Sequence, residues 1–141
     1  MSQQVEEGTV EVEPSDAVAA AAFAVALRHG AIARDAVVEW ADALIAERTR
    51  PQAYLIDLSL SQHLHVVDLE FALGWIGCGA DPLAVCSFLL GMLPDVSSYN
   101  FEDALRAIHR IFRMVREIIG YNDRSDLIRE LYSIGSTIRW I

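Results

Sequence analysis

A chain of 141 residues, 53% hydrophobic and 22% charged, is long enough to bury one core and unlike a disordered polymer. Eight glycines and four prolines exclude a collagen-like or low-complexity sequence, and two cysteines, Cys78 and Cys86, are too few for a disulfide scaffold. The formal net charge of −9 sits unevenly: residues 1–99 hold 14 acidic residues against 4 arginines, residues 100–141 hold 6 against 7. Such a chain is repelled by nucleic acid and by anionic lipid, and attracts a basic protein.

Every basic residue is arginine and none is lysine, a usage expected of a GC-rich, bacterial genome. The first 14 residues carry Glu6, Glu7, Glu11 and Glu13 and no basic residue, the reverse of a secretion signal. The longest charge-free apolar stretches, Ala17–Leu27 and Leu83–Leu93, fall well short of the roughly 20 residues that cross a bilayer. Phe71–Leu93 is apolar over a longer distance but is broken by Asp81-Pro82. The expectation is a cytoplasmic protein with free thiols and no membrane segment.

Residues 1–14 read as a flexible acidic tail and 15–141 as one helical-bundle domain. Ser15 is the expected N-cap of a first helix that runs to about His29 and stops at Gly30, with Asp16 favourable to its dipole. Its interior, Ala17–Leu27, is apolar all round, which places it at the centre of a bundle or against a second chain. Asp35 is expected to cap a second helix to about Glu47. There Val37, Val38, Ala41, Leu44 and Ile45 share one face, and Asp35, Glu39 and Asp42 the other.

A short third helix is expected from near Pro51, carrying Tyr54, Leu55, Leu58 and Leu60. A fourth is expected from Leu64 to Ile76, ended by Gly77-Cys78-Gly79. Asp81-Pro82 opens a fifth over about 82–92. The sixth, Asn100 to about Ile119, has a sustained stripe of Leu105, Ile108, Ile111, Phe112, Val115, Ile118 and Ile119. Ser125 and Asp126 open a seventh, with Leu127, Leu131, Ile134 and Ile138 on one face. Strand patterns with hairpin turns are missing, so the fold class is all-α: an irregular bundle of six to seven helices in a single domain.

One segment has a resemblance. Trp40-Ala41-Asp42-x-Leu44-Ile45, followed by Leu55-Ile56-Asp57-Leu58-Ser59-Leu60, resembles a stretch of small uncharacterised bacterial helical proteins. The match covers Asp35 to Leu60. The resemblance implies a bacterial all-helical protein, of the kind encoded beside toxins as an antidote, and brings no catalytic residues with it.

The residues able to carry chemistry form four groups. His63, His65 and Asp68 have the donor types for a divalent metal, or are the exposed polar start of a helix. Cys78 and Cys86 are not spaced as Cys-x-x-Cys and sit in the most apolar part of the sequence, where buried cysteines act as small hydrophobes. Arg106, Arg110, Arg113 and Arg116 line the side of the sixth helix opposite its apolar stripe. That row suits phosphate or carboxylate, or is a solvated face; without interleaved aromatics, nucleic acid is the less favoured partner. The acidic row Asp35, Glu39 and Asp42 is a solvated face, a set of internal partners for the arginine row or, with Glu47 nearby, a docking surface for a basic protein; Trp40, at the margin of the apolar face, is a cap on the core or an interface anchor.

No nucleophile elbow and no phosphate-cradling loop is present, and without lysine no Schiff-base chemistry is open to the chain. No cofactor is expected. The expected function is a non-enzymatic protein-binding module, most concretely an immunity protein that occludes a basic toxin. A homo-oligomer paired through the Ala17–Leu27 helix and a metal-dependent enzyme using His63, His65 and Asp68 are the alternatives.

Overall fold

Proline at a first helical position and an acidic residue one turn in are enough to start a helix whose interior is mostly alanine. In the computed structural model, which describes residues 11–95 and 97–120, that helix is α1, Pro14–Arg28. It opens one residue before the expected Ser15 cap, because the ring-fixed φ of Pro14 already suits the first turn. Its far end closes as a Schellman motif. The Ala31 amide donates to the Ala26 carbonyl (2.8 Å) and the Gly30 amide to the Leu27 carbonyl (3.0 Å), with Gly30 at φ +70°.

The remaining elements are α2 (Arg34–Glu47), α3 (Ala53–Ser59), a 3-10 turn (Ser61–His63), α4 (Val66–Ile76), α5 (Pro82–Met92) and α6 (Phe101–Gly120). The chain is a single all-α domain, and no strand occurs among the described residues. Asp81 caps α5 as expected, its side chain accepting from the Ala84 amide at 3.0 Å. Asn100 caps α6 in the same way from Asp103, at 2.8 Å. Asp35 does not cap α2: the helix begins at Arg34 after an extended Ala33, and Asp35 sits in its first turn. The expected fourth helix starts two residues late, because the 3-10 turn intervenes and His65 Nδ1 takes the Val67 amide at 3.2 Å.

Of the expected tail, residues 1–10 lie outside the described residues. Val12 already packs against the core, and the Glu13 amide donates to the Tyr54 hydroxyl at 3.2 Å. The expected seventh helix, from Ser125 onward, also lies outside the described residues.

The core is organised around α1. Every residue from Ala22 to Leu27 is buried, as are Asp16, Ala17, Ala19 and Ala20. One buried cluster joins Ala19, Ala20, Phe23, Ala24 and Leu27 to Val37, Leu55, Leu69, Leu73 and Ile76. A second joins Ala22, Val25 and Ala26 to Val85, Leu89, Met114 and Val115. Helix α1 therefore has α2, α3 and α4 against one flank and α5 and α6 against the other. Its all-round apolarity marks the centre of its own bundle, which removes the reason to place a second chain on Ala17–Leu27.

Small side chains set how closely these layers approach. A Cβ built on Gly77 would stand 2.6 Å from the Ala21 amide nitrogen and 2.7 Å from its Cα. That obstacle is backbone and has no rotamer to move into, so α4 can lie this near to α1 only with glycine at 77. Gly77→Ala is expected to destabilise the fold by about 1–3 kcal/mol, the range for overpacking. Urea denaturation checks it, and an unchanged midpoint would show that the α1–α4 contact is looser than described.

Candidate functional site

The acidic row is a real surface feature. Asp35, Glu39 and Asp42 are all exposed, on the side of α2 away from buried Val37, Val38 and Ala41. None of the three forms a salt bridge among the described residues. Glu47 is exposed too, but at 100° per residue it falls on the flank of Trp40 rather than in this row. Trp40 is half-buried, with its ring centroid 5.2 Å from that of Phe23. It caps the core and offers a partner an edge only.

The arginine row stands elsewhere. Arg106, Arg110, Arg113 and Arg116 are exposed along α6, which packs on α5 and α1, whereas α2 packs on α3. Arg106 is held within its own helix by Glu102 (2.9 Å) and Asp103 (3.4 Å). The two charge rows therefore do not neutralise each other through Asp35, Glu39 or Asp42. Arg106 and Arg110 also edge a cavity of about 320 Å³, whose other walls include Leu93, Tyr99, Ile111 and Met114.

The histidine set does not assemble. His63 lies in the 3-10 turn, His65 caps α4 with Nδ1 and Asp68 occupies the first turn of α4, all exposed. Among the described residues, no group of three or more His, Cys, Asp or Glu is placed to hold a metal ion. The thiols divide. Cys86 is buried, and burial followed by the nearby Asp81 charge pushes its pKa up, as fits a small hydrophobe. Cys78 is exposed, contrary to expectation, because α4 ends at Ile76 and the turn that follows lifts it to the surface.

Two features were not anticipated from the sequence. The first is a polar cluster around Asp16, only 2% exposed. Arg48 grips it with two nitrogens (2.7 and 2.8 Å), and the Tyr54 hydroxyl donates to it at 2.7 Å. Arg48 also donates to Gln52 Oε1 at 2.7 Å. Burial alone would raise the Asp16 carboxyl, but the hydrogen bonds from Arg48 and Tyr54 and the Arg48 charge outweigh it and hold the group below its ordinary value. Burial, then the bond to Asp16, pushes Tyr54 up to about 12. With no buried side-chain nitrogen or oxygen left without a partner among the described residues, the cluster is a clamp that ties the start of α1 to the end of α2 and the start of α3.

The second is the outward face of α4. Val67 is 61% exposed, Phe71 80% and Trp75 58%. They stand at i, i+4 and i+8, opposite buried Leu69, Leu73 and Ile76. The signal was present, since α4 has apolar residues on two opposite sides, with Asp68 and Glu70 between them, and yet meets α1 on one side only. Read as a question about membrane spans, it points nowhere: no helix among the described residues is long and apolar enough to cross a membrane.

No protein-family model matches the chain, and no curated protein or solved structure shows detectable similarity to it.

Replacing Asp16 by Asn is expected to cost about 3 kcal/mol at pH 7, because it leaves Arg48 and Tyr54 facing a group that accepts less well. The folded pKa is depressed, so this contribution is complete above the unfolded value near 3.9 and is lost as pH falls through the folded one. Denaturation midpoints of wild type and variant should converge below about pH 4. A gap that stays constant with pH would mean that the ionised pair supplies none of it.

Proposed function

We propose that the chain is a non-enzymatic protein-binding module and, in its most concrete form, a bacterial immunity protein that binds and neutralises a basic toxin. The observation that carries the reading is the row Asp35, Glu39 and Asp42, outward on α2 and without a countercharge among the described residues. Asp35 with Glu39, and Glu39 with Asp42, are like-charged neighbours at i+4 and i+3. Each such pair weakens a helix by about 0.2–0.5 kcal/mol.

A basic partner relieves that repulsion on contact and is drawn in by the field of a −9 chain. A rigid helix holds the carboxylates in fixed register, so little ordering is required on binding.

The test is capture from a lysate of the native cell by wild type and by a variant carrying Asp35→Arg, Glu39→Arg and Asp42→Arg, with helicity checked by circular dichroism. Wild type should retain one basic protein in near-equal amount, released by moderate salt, and the folded variant should lose it. Equal recovery by the folded variant would remove this surface from the proposal.

A further inference from the structure

We propose that the outward face of α4 is where the chain pairs with a second copy of itself, in an antiparallel arrangement with a two-fold axis at Phe71. This rests on observations separate from the acidic row. The first is area. Phe71 and Trp75, 80% and 58% exposed, and Val67, 61% exposed, present on the order of 350–400 Å² of apolar surface. A standard interface covers about 800 Å² per partner, a little over half of it apolar. Three side chains on one helix thus supply most of the apolar part of one partner's share, in a patch of the size that is often functional.

The second is charge. Two copies of a −9 chain pair most readily where few carboxylates meet, and this face is poor in them. Val67, Phe71, Gly74 and Trp75 share it, and Asp68 lies at its edge. Glu70, the other acid of α4, stands on the opposite flank, tied to Arg28 at 3.4 Å. A basic partner would find only Asp68 to pair with, whereas a second copy meets apolar surface like its own.

The third is self-complementarity. Val67 and Trp75 are each four residues from Phe71, about 6 Å along the axis in either direction. A two-fold axis at Phe71 therefore sets Val67 of one copy opposite Trp75 of the other, small against large, with Phe71 meeting its own image. Phe71, Gly74 and Trp75 stand at i, i+3 and i+4, three sides of a hole for one knob of a facing helix. Gly74 leaves that hole open, with no atom within 4 Å of where its Cβ would be.

Antiparallel pairing also fixes the thiols. Each Cys78 follows the end of α4, and those ends, at Ile76, would lie about 15 Å apart along the axis, beyond the roughly 7 Å that a disulfide spans between Cα atoms. Parallel pairing would set them side by side.

Sedimentation equilibrium of the full chain from low to high micromolar concentration tests the proposal. Wild type should reach twice 15.6 kDa, and Phe71→Asp should stay at 15.6 kDa with unchanged circular dichroism. In a Cys78→Ser background, Phe71→Cys should cross-link under mild oxidant, while wild type should not link through Cys78. The variant with the α2 carboxylates reversed should still dimerise, which separates this interface from the partner surface. A monomeric wild type overturns the proposal, as does a Phe71→Asp chain that still dimerises. A Phe71→Asp chain less thermally stable than wild type at a dilution where both are monomers would show that the chain's own segments cover the face, and also overturns it.

Discussion

The structure depends on a helix with almost no side chains of its own. Seven of the residues between Ala17 and Ala26 are alanine, and burying each contributes little apolar area. What alanine gives instead is closeness: α4 can lie with Gly77 against the Ala21 backbone, and two separate clusters can form on opposite flanks of one helix. Phe88 and Met92 border both clusters and join them. The ends of α1 are pinned by charge. Asp16 is clamped by Arg48 and Tyr54 at one end; at the other, Arg28 bridges Glu70 of α4 and Glu117 of α6, with His29 on Glu117 at 2.8 Å.

That arrangement has a consequence for the surface. A helix buried on all sides uses its whole circumference, but the helices around it use only one side each. Helix α4 carries apolar residues on two opposite sides and has α1 to cover one of them, so Val67, Phe71 and Trp75 are left outward. Helix α5 shows a milder form of the same imbalance, with Leu83 and Leu90 about half exposed. The exposed apolar face is thus a by-product of central α1 packing that the sequence has not corrected with polar residues. Helix α2, at a comparable position, has been corrected: its outward side is Asp35, Glu39 and Asp42. The two surfaces differ in kind, one suited to steering a basic protein and the other to burying apolar area against its own image.

Much of the fold was legible because helix signals are local. Gly30, Asp81-Pro82 and Asn100 bound their helices within a residue or two of expectation, since a cap or a positive φ is a property of the few residues that make it. The misplaced starts have local reasons as well. Pro14 took the position given to Ser15, and the Ser61–His63 turn delayed α4. What could not be read were relations between distant residues. Asp16 looked like a dipole partner in the first turn, and nothing in its neighbourhood announces Arg48, 32 positions on. Trp40 reads from the sequence as either a core cap or an interface anchor, and only the fold, which brings Phe23 against its ring, decides between them. His63, His65 and Asp68 lie close in sequence, but the helix cap engages one ring nitrogen and the turn separates the other ring. The α4 face was written in the sequence as surplus apolarity, and only the position of α1 shows which side remains uncovered.

The central claim is that α1 completes its burial within one chain whereas α4 does not. Amide hydrogen exchange followed by mass spectrometry at low and high protein concentration tests both halves together. The account predicts that α1 amides from Ala20 to Leu27 exchange only through global unfolding at either concentration, gaining no more protection than the whole fold does, while those of α4, open to local fluctuation in the monomer, gain more as concentration rises. Protection of α1 that falls below the global value in the dilute monomer, or α4 protected equally at both, would contradict it.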